Sequence, residues 1–262
     1  MRVLVCIKQV PDNTRVEIDK KTGSLIRDGV DSKINLYDLH ALEAALALKA
    51  RSDCHITALT MGPPQAEAAV CEALSLGADS GCLLCDAAFA GADVLATSYT
   101  LSQAAAALGG FDLILCGKQT SDGDTAQVGP ALAEHLGIPH AAWITEISGP
   151  FDGALVLMQD MGEYIQRVRL PLPCLLTVEK GPETPRLPSF RRRKALEGAG
   201  ITRLSLADLP DREAGRYGAD GSPTRVERIF PPPTLQDHVR LEGEPDTVAD
   251  ALIEVLAARK MI

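Results

Sequence analysis

Aromatic residues are scarce in this chain: one Trp, four Tyr and five Phe, 4% of 262 residues. Its core must therefore be built from aliphatic side chains, and Ala and Leu dominate the 46% hydrophobic fraction. An excess of basic charge is also missing. Lys and Arg number 26 against 35 Asp and Glu, a net charge of −9, which excludes the electrostatic footprint of a nucleic-acid protein. No apolar run approaches the ~20 residues that span a bilayer, so no membrane insertion is expected. Neither G-x-G-x-x-G after the first apolar strand nor G-x-x-x-x-G-K-[ST] anywhere is present, so a nucleotide would have to be held by another arrangement. A nucleophile–base pair is lacking too; His135 and His140 flank a helix end and are expected on its surface.

Seven cysteines are scattered through the chain, an odd number, with no secretory leader ahead of them. The expectation is a reduced, cytoplasmic protein. Cys6, Cys54, Cys116 and Cys174 lie in apolar runs and read as small core residues. Cys82 and Cys85 form a C-x-x-C, but no second Cys/His pair stands at metal spacing, so buried strand residues are expected there and no metal.

The stretch that organises the rest is Asp112 to Leu136, DLILCGKQTSDGDTAQVGPALAEHL. Leu113 to Cys116 is a short apolar run, as in a strand covered on both faces, and Gly117 stops it. A polar loop follows, and Ala126 to Leu136 reads as a helix stopped by Gly137. A strand feeding a loop that opens a helix is a ready phosphate site, because the first-turn N–H groups point outward and the helix dipole favours negative charge there. Gly123 lets backbone approach closely, and Thr125 and Gln127 offer hydrogen bonds. Asp122 and Asp124 oppose a phosphate unless they cap the helix or hold a ribose. The same pattern also suits a plain surface helix with Asp124 or Thr125 as N-cap.

Strands alternate with helices along the first half. Strands are expected at Arg2 to Lys8, Cys54 to Met61, Gly81 to Cys85 and from Leu113. Helices are expected at Leu39 to Ala50, Gln65 to Leu76 and Asp93 to Leu108. Asp38 or Asn35 would be the first N-cap, with Gln9 to Asp12 as a turn and Val16 to Val30 as a hairpin or excursion. This order predicts an α/β fold: a doubly wound, mainly parallel, Rossmann-like sheet with ligands beyond the carboxyl ends of its strands. After Pro139 come strands at His140 to Ile147 and Cys174 to Glu179, with a hairpin between them at Ala154 to Leu170. From Ile201 to Pro233 the chain reads as irregular, and Asp246 opens a final helix to Lys260. The expected organisation is a nucleotide-binding α/β unit over 1–183, a recognition loop and helix over 184–200, and a C-terminal arm over 201–262. Leu187 and Phe190, among Arg191, Arg192 and Arg193, suit either a docking loop or a solvated one.

With RVLVCIKQVPD, NLYDLHALEAAL, GKQTSDGDTAQVGP, LPSFRRRKAL and SPTRVERIFPPP in place, the sequence resembles the beta subunit of electron transfer flavoproteins over nearly its whole length. The resemblance implies a heterodimer with an alpha subunit that carries FAD, with the arm packing on that subunit. It implies an adenine nucleotide held by Cys6, Asn35, Leu36, Tyr37, Asp38, Met61 and the run Gly117, Lys118, Gln119, Thr120, Ser121, Asp122, Gly123, Asp124, Thr125, Ala126, Gln127 and Val128. It also favours the docking role for Leu187 and its basic neighbours.

Two kinds of such subunit exist. In the housekeeping kind the site holds structural AMP, and electrons come from acyl-CoA dehydrogenases. In the electron-bifurcating kind it holds a second FAD reduced by NADH, whose electrons divide between ferredoxin or flavodoxin and an acyl-CoA dehydrogenase-like partner. Ala126 where the AMP kind tends to have Asn, together with Pro130 and Asp38, looks like the bifurcating kind. A regulatory adenine-nucleotide-binding protein of the same fold is the alternative of another class, and it leaves the basic segment and the long arm without a role.

Overall fold

The structure, a computed structural model, describes residues 1–11, 32–196, 201–227, 230 and 240–262. Its first half alternates strand and helix: β1 (Arg2–Cys6), a short ribbon of β2 (Gln9–Pro11) and β3 (Ser32–Ile34), α1 (Leu36–Lys49), β4 (His55–Met61), α2 (Glu67–Leu76), β5 (Ser80–Leu84), α3 (Val94–Ala107), β6 (Leu113–Gly117) and α4 (Val128–Leu136). The second half supplies β7 (His140–Phe151), β8 (Ala154–Asp160), β9 (Ile165–Pro171), β10 (Cys174–Val178), α5 (Phe190–Ala195), β11 (Thr202–Leu204) and α6 (Pro245–Ala258).

Nine strands form one sheet in the order β11-β5-β4-β1-β6-β10-β7-β8-β9. All pairings from β11 to β7 are parallel, and β7-β8-β9 closes one side as an antiparallel meander. The chain leaves β1 toward β4 and β5, then returns to lay β6 on the other flank of β1. Strand order reverses between β1 and β6, and a crevice opens at their carboxyl ends, where sheets of this kind bind ligands.

Alternation along the central strands builds two cores. Val3, Val5 and Ile7 of the β1 segment pack with Ala41, Leu42 and Ala45 of α1 and Ala69 and Ala73 of α2. Leu4 and Cys6 face the other way, onto Leu101 and Ala104 of α3 and Leu132 and Ala133 of α4. The small alanines let helices lie close on the sheet, which is how a core poor in aromatics is filled. Gly77, with φ 141°, ends α2 and Gly137, with φ 63°, ends α4, as their positions in sequence require.

Several expectations are corrected. Gln9 to Pro11 is not a free turn but a strand that pairs antiparallel with Ser32–Ile34; the excursion over Val16 to Val30 lies outside the described residues. Helix α1 begins at Leu36, so Asp38 is a helical residue and not an N-cap; Asn35 occupies the cap position without a side-chain bond to the helix. Helix α4 begins at Val128, because Ala126 holds a left-handed φ of 56° that no helix continues through. The final helix is capped at Glu244, not Asp246. Part of the region read as an irregular arm belongs to the α/β unit: β11 pairs with β5, and Leu209 and Tyr217 are buried in the core on the α3 side. Tyr217 packs its ring against Phe89 and Tyr99. Cys82 is a buried strand residue whose thiol burial pushes up to about 12, and no cluster of three metal-ligating side chains occurs among the described residues.

Candidate functional site

Five segments meet over the carboxyl ends of β1 and β6: Cys6 to Lys8, the start of α1 at Asn35 to Asp38, Met61 at the end of β4, Gly117 at the end of β6, and the loop into α4. Cys6 and Cys116 are register partners on the adjacent strands and form the floor. The hydrogen bond with Cys6 and burial push the Cys116 thiol well above its ordinary range, so it stays protonated and is no nucleophile.

Asp38 is the tie across the crevice. Its carboxylate accepts the Lys8 N–H at 2.8 Å and the Gly117 N–H at 3.1 Å, so one side chain joins the chain leaving β1 to the end of β6. Burial pushes its pKa up to about 7, against the lowering effect of those N–H groups and of Asn35. Only glycine fits at position 117: a Cβ there would stand 2.3 Å from Asp38 Oδ1 and 2.7 Å from the Asp38 backbone nitrogen.

Asn35 is fully buried and reads the loop by its backbone. Its Nδ2 donates to the Gln119 carbonyl at 2.8 Å, and its Oδ1 accepts the Ser121 N–H at 3.2 Å. A buried amide satisfied on both sides fixes the loop relative to α1. The two aspartates that looked wrong for a phosphate are both engaged. Lys8 Nζ meets both Asp122 oxygens at 2.8 Å, and Asp122 is held below the usual carboxylate range: burial works to raise it, and the Lys8 contact outweighs that. Asp124, at φ 52°, accepts a hydrogen bond from Gln119 Nε2 and donates its N–H to the Thr120 carbonyl at 2.9 Å.

Neither Asp124 nor Thr125 caps α4. The cap position is Gln127, with no side-chain bond to the helix, and Pro130 carries no N–H. The first turn therefore presents the Val128 and Gly129 N–H groups without a capping side chain, the arrangement that suits an anion. Gly129 sits against β10; a Cβ there would stand 2.5 Å from Thr177 Cγ2.

Most of the expected ligand residues thus lie in one place. Leu36 is exposed, Tyr37 and Met61 are half-buried, and Thr125 is exposed at the loop's end. Lys118 points away, forming an ion pair with Glu179 at 2.5 Å and lying over the Trp143 ring at 5.0 Å. The docking residues stand apart. Arg186 binds Glu43 of α1, and the Ser189 N–H donates to the Ser75 carbonyl in α2, which leaves Leu187 88% and Phe190 80% exposed beside Arg191, Arg192 and Arg193. Sequence reasoning missed Lys8, Trp143, Thr177 and Glu179. The single Trp of an aromatic-poor chain was a signal, whereas the lysine partner of Asp122, 114 positions away, left none.

Residues 22–209 match the electron transfer flavoprotein domain. The chain is 42% identical to the electron transfer flavoprotein subunit beta of Megasphaera elsdenii, with all of both chains covered. It is 39% identical to the caffeyl-CoA reductase-Etf complex subunit CarD of Acetobacterium woodii, again over all of both. It is 38% identical to the protein FixA of Bradyrhizobium diazoefficiens, over 98% of this chain and 91% of that one. A family match over most of the chain and full-length relatives converge: this chain belongs to the electron transfer flavoprotein family, as a beta subunit.

Proposed function

We propose that this beta subunit is of the electron-bifurcating kind, with FAD in the crevice between β1 and β6 and an alpha subunit as its partner. The residues present fit a nucleotide. The first turn of α4 is uncapped by any side chain, Gly117 leaves room for Asp38 against the end of β6, and Lys8 neutralises the loop carboxylate that would repel a phosphate. Cys6, Asn35 to Asp38, Met61, Gly117 and Gln119 to Val128 are the residues assigned to hold it, with Lys118 contributing backbone only. A flavin bound there would supply the redox chemistry, taking a hydride from NADH and releasing single electrons. The chain's own contribution is to bind and orient that group and to set its electrostatic surroundings.

The observation that carries the FAD reading is Ala126. It holds φ 56° at the lip of the crevice, a left-handed conformation that suits Asn far better than Ala. The AMP kind of the family tends to have Asn at this place. Ala accepts the strain and removes an amide from the lip, and the room gained favours a ligand larger than AMP. One relative is by name a subunit of a caffeyl-CoA reductase-Etf complex, which supports an acyl-CoA dehydrogenase-like electron acceptor here. Ferredoxin or flavodoxin completes the reading as the low-potential acceptor. Leu187, Phe190 and the arginines that follow are assigned to docking of the dehydrogenase, and the region beyond residue 240 to the alpha subunit.

The test is the visible spectrum of the purified heterodimer with acid extraction of its nucleotides. Two flavins per heterodimer are expected. One flavin and one AMP would overturn the bifurcating reading and leave the housekeeping kind.

A further inference from the structure

Lys8 stands just beyond the end of β1, outside the set assigned above to hold the nucleotide. Its backbone is fixed on both sides: the N–H donates to Asp38 Oδ2 at 2.8 Å, and the carbonyl accepts the Asn35 N–H at 2.9 Å. From this anchor the side chain reaches Asp122, in the loop that follows β6, and Nζ donates to both carboxylate oxygens at 2.8 Å. Gly123 is close as well; a Cβ there would stand 4.0 Å from Lys8 Nζ. The side chain therefore crosses the crevice from the end of β1 to the loop after β6. Buried Asp38 makes a parallel crossing on the core side, from the Lys8 N–H to the Gly117 N–H. The first turn of α4 rests on the same floor: a Cβ at Gly129 would stand 3.6 Å from Cys116 Cβ, and Cys116 is the register partner of Cys6.

The local charge balance gives this ammonium a task. Three carboxylates, of Asp38, Asp122 and Asp124, meet around the crevice, and Lys118, at the start of the loop, is drawn away to Glu179. A phosphate set among these groups meets repulsion that a helix start alone does not offset, because a helix terminus carries only about half an elementary charge. Lys8 is the cation that spans the site, and it is reachable: its side chain is 45% exposed and that of Asp122 29%. An ion pair so open to water contributes little and is readily exchanged. A phosphate offers the ammonium a stronger, charge-assisted partner.

We propose that Lys8 is a phosphate-binding residue of the crevice, whose ammonium is shared between Asp122 and the phosphate of the bound nucleotide. This rests on the reading of the crevice as a nucleotide site and adds to it the residue that tells a nucleotide from a nucleoside. Asp122 is then the competitor that keeps the ammonium over the crevice until a phosphate arrives.

The full chain, freed of nucleotide, is titrated by calorimetry with AMP, with FAD and with adenosine, which keeps the base and ribose but has no phosphate. The variants are Lys8→Met, Lys8→Arg and Asp122→Asn. Lys8→Met loses a charge-assisted hydrogen bond, so nucleotide binding is expected to weaken roughly 10- to 150-fold while adenosine stays within about 3-fold. Lys8→Arg keeps the charge and is expected within about 5-fold of the parent. Asp122→Asn frees the ammonium and should move the other way, tightening AMP relative to adenosine; it serves should Lys8→Met fail to fold. Losses for AMP and FAD alike place Lys8 at the phosphate next to adenosine, and a loss for FAD alone places it at the flavin-side phosphate. Equal losses for adenosine and the nucleotides, with Asp122→Asn behaving as Lys8→Met does, make the pair a strut for the loop and overturn the proposal. Unchanged dissociation constants overturn it as well, and both results leave the nucleotide site standing. Failure of the parent to bind any of the three overturns the site and the proposal together.

Discussion

Asp38 is a buried acid without a buried base against it: Lys8 gives it an N–H while the Lys8 ammonium goes to Asp122. Its pKa is raised from 3.8 to about 7, so the folded chain holds a proton that the unfolded chain has released between those values. Stability from this group is therefore full below about pH 4 and is lost as pH rises through about 7. Asp38→Asn should flatten the fall in melting temperature over that window, read by thermal denaturation from pH 4 to pH 8 against the parent. An identical slope in the variant would reject the assignment. Gly117→Ala tests the same contact from the other side. The added Cβ meets backbone as well as the carboxylate, so a loss of about 1–3 kcal/mol is expected by denaturant unfolding, together with loss of nucleotide. The sequence disclosed that these residues belong together, through NLYDLH and GKQTSDGDTAQVG, but not what each does. Asp38 reads as an N-cap because Asp is common there; its burial under two N–H groups comes from chain segments tens of residues away. Ala126 reads as a helix start for a similar reason: local propensity says helix, while the structure gives it a left-handed φ of 56°.

Among the elements, α1 does two jobs at opposite places. Its first turn carries Asn35 and Asp38 to the crevice, and one turn further Glu43 receives Arg186 in a two-pronged contact of 2.7 to 3.2 Å. Burial alone would raise the Glu43 pKa; the Arg186 hydrogen bonds and charge reverse this and hold it low. A depressed carboxylate contributes stability above its unfolded pKa and loses it as pH falls through the folded value. Arg186→Ala should cost about 1–3 kcal/mol near neutrality, because a buried carboxylate is left without its partner, and the cost should shrink as the solution is acidified. The same anchor presents Leu187 to solvent. Leu187→Ala should change stability by less than about 0.5 kcal/mol, and under the proposed docking role it should slow electron transfer with an acyl-CoA dehydrogenase-like partner; equal rates for variant and parent would overturn that role. The strands β1, β4, β5 and β6 and the helices between them were legible because each carries its own apolar run or periodicity, and α2 and α4 end on the glycines Gly77 and Gly137. β11 was not: three residues with no apolar alternation become a strand only because β5 offers an open edge.

At the scale of the whole molecule, the chain divides at a place composition does not mark. Residues 202–222 return to the sheet, bury Leu209 and Tyr217 beside α3, and tie the start of that helix through Ser222 and Asp93. Helix α6 does the opposite: none of its residues is buried, and Leu252 and Ile253 stay 46% and 55% exposed. A helix with apolar residues in the open is stable mainly when something covers them, since isolated helices of this length are marginal in water. Two truncations separate the roles. A chain ending at Gly243 should keep its cooperative unfolding within about 1 kcal/mol of the parent, since no residue of α6 is buried. A chain ending at Leu196 loses Tyr217 from its contacts with Phe89 and Tyr99 and uncovers the β5 edge, a loss of about 3–5 kcal/mol by the measure of a large aromatic removed from a core. If α6 is the element that joins the alpha subunit, the first truncation should also fail to form the heterodimer in size-exclusion chromatography while remaining folded by circular dichroism. A truncated chain that still assembles would place the subunit contact on the α/β unit itself.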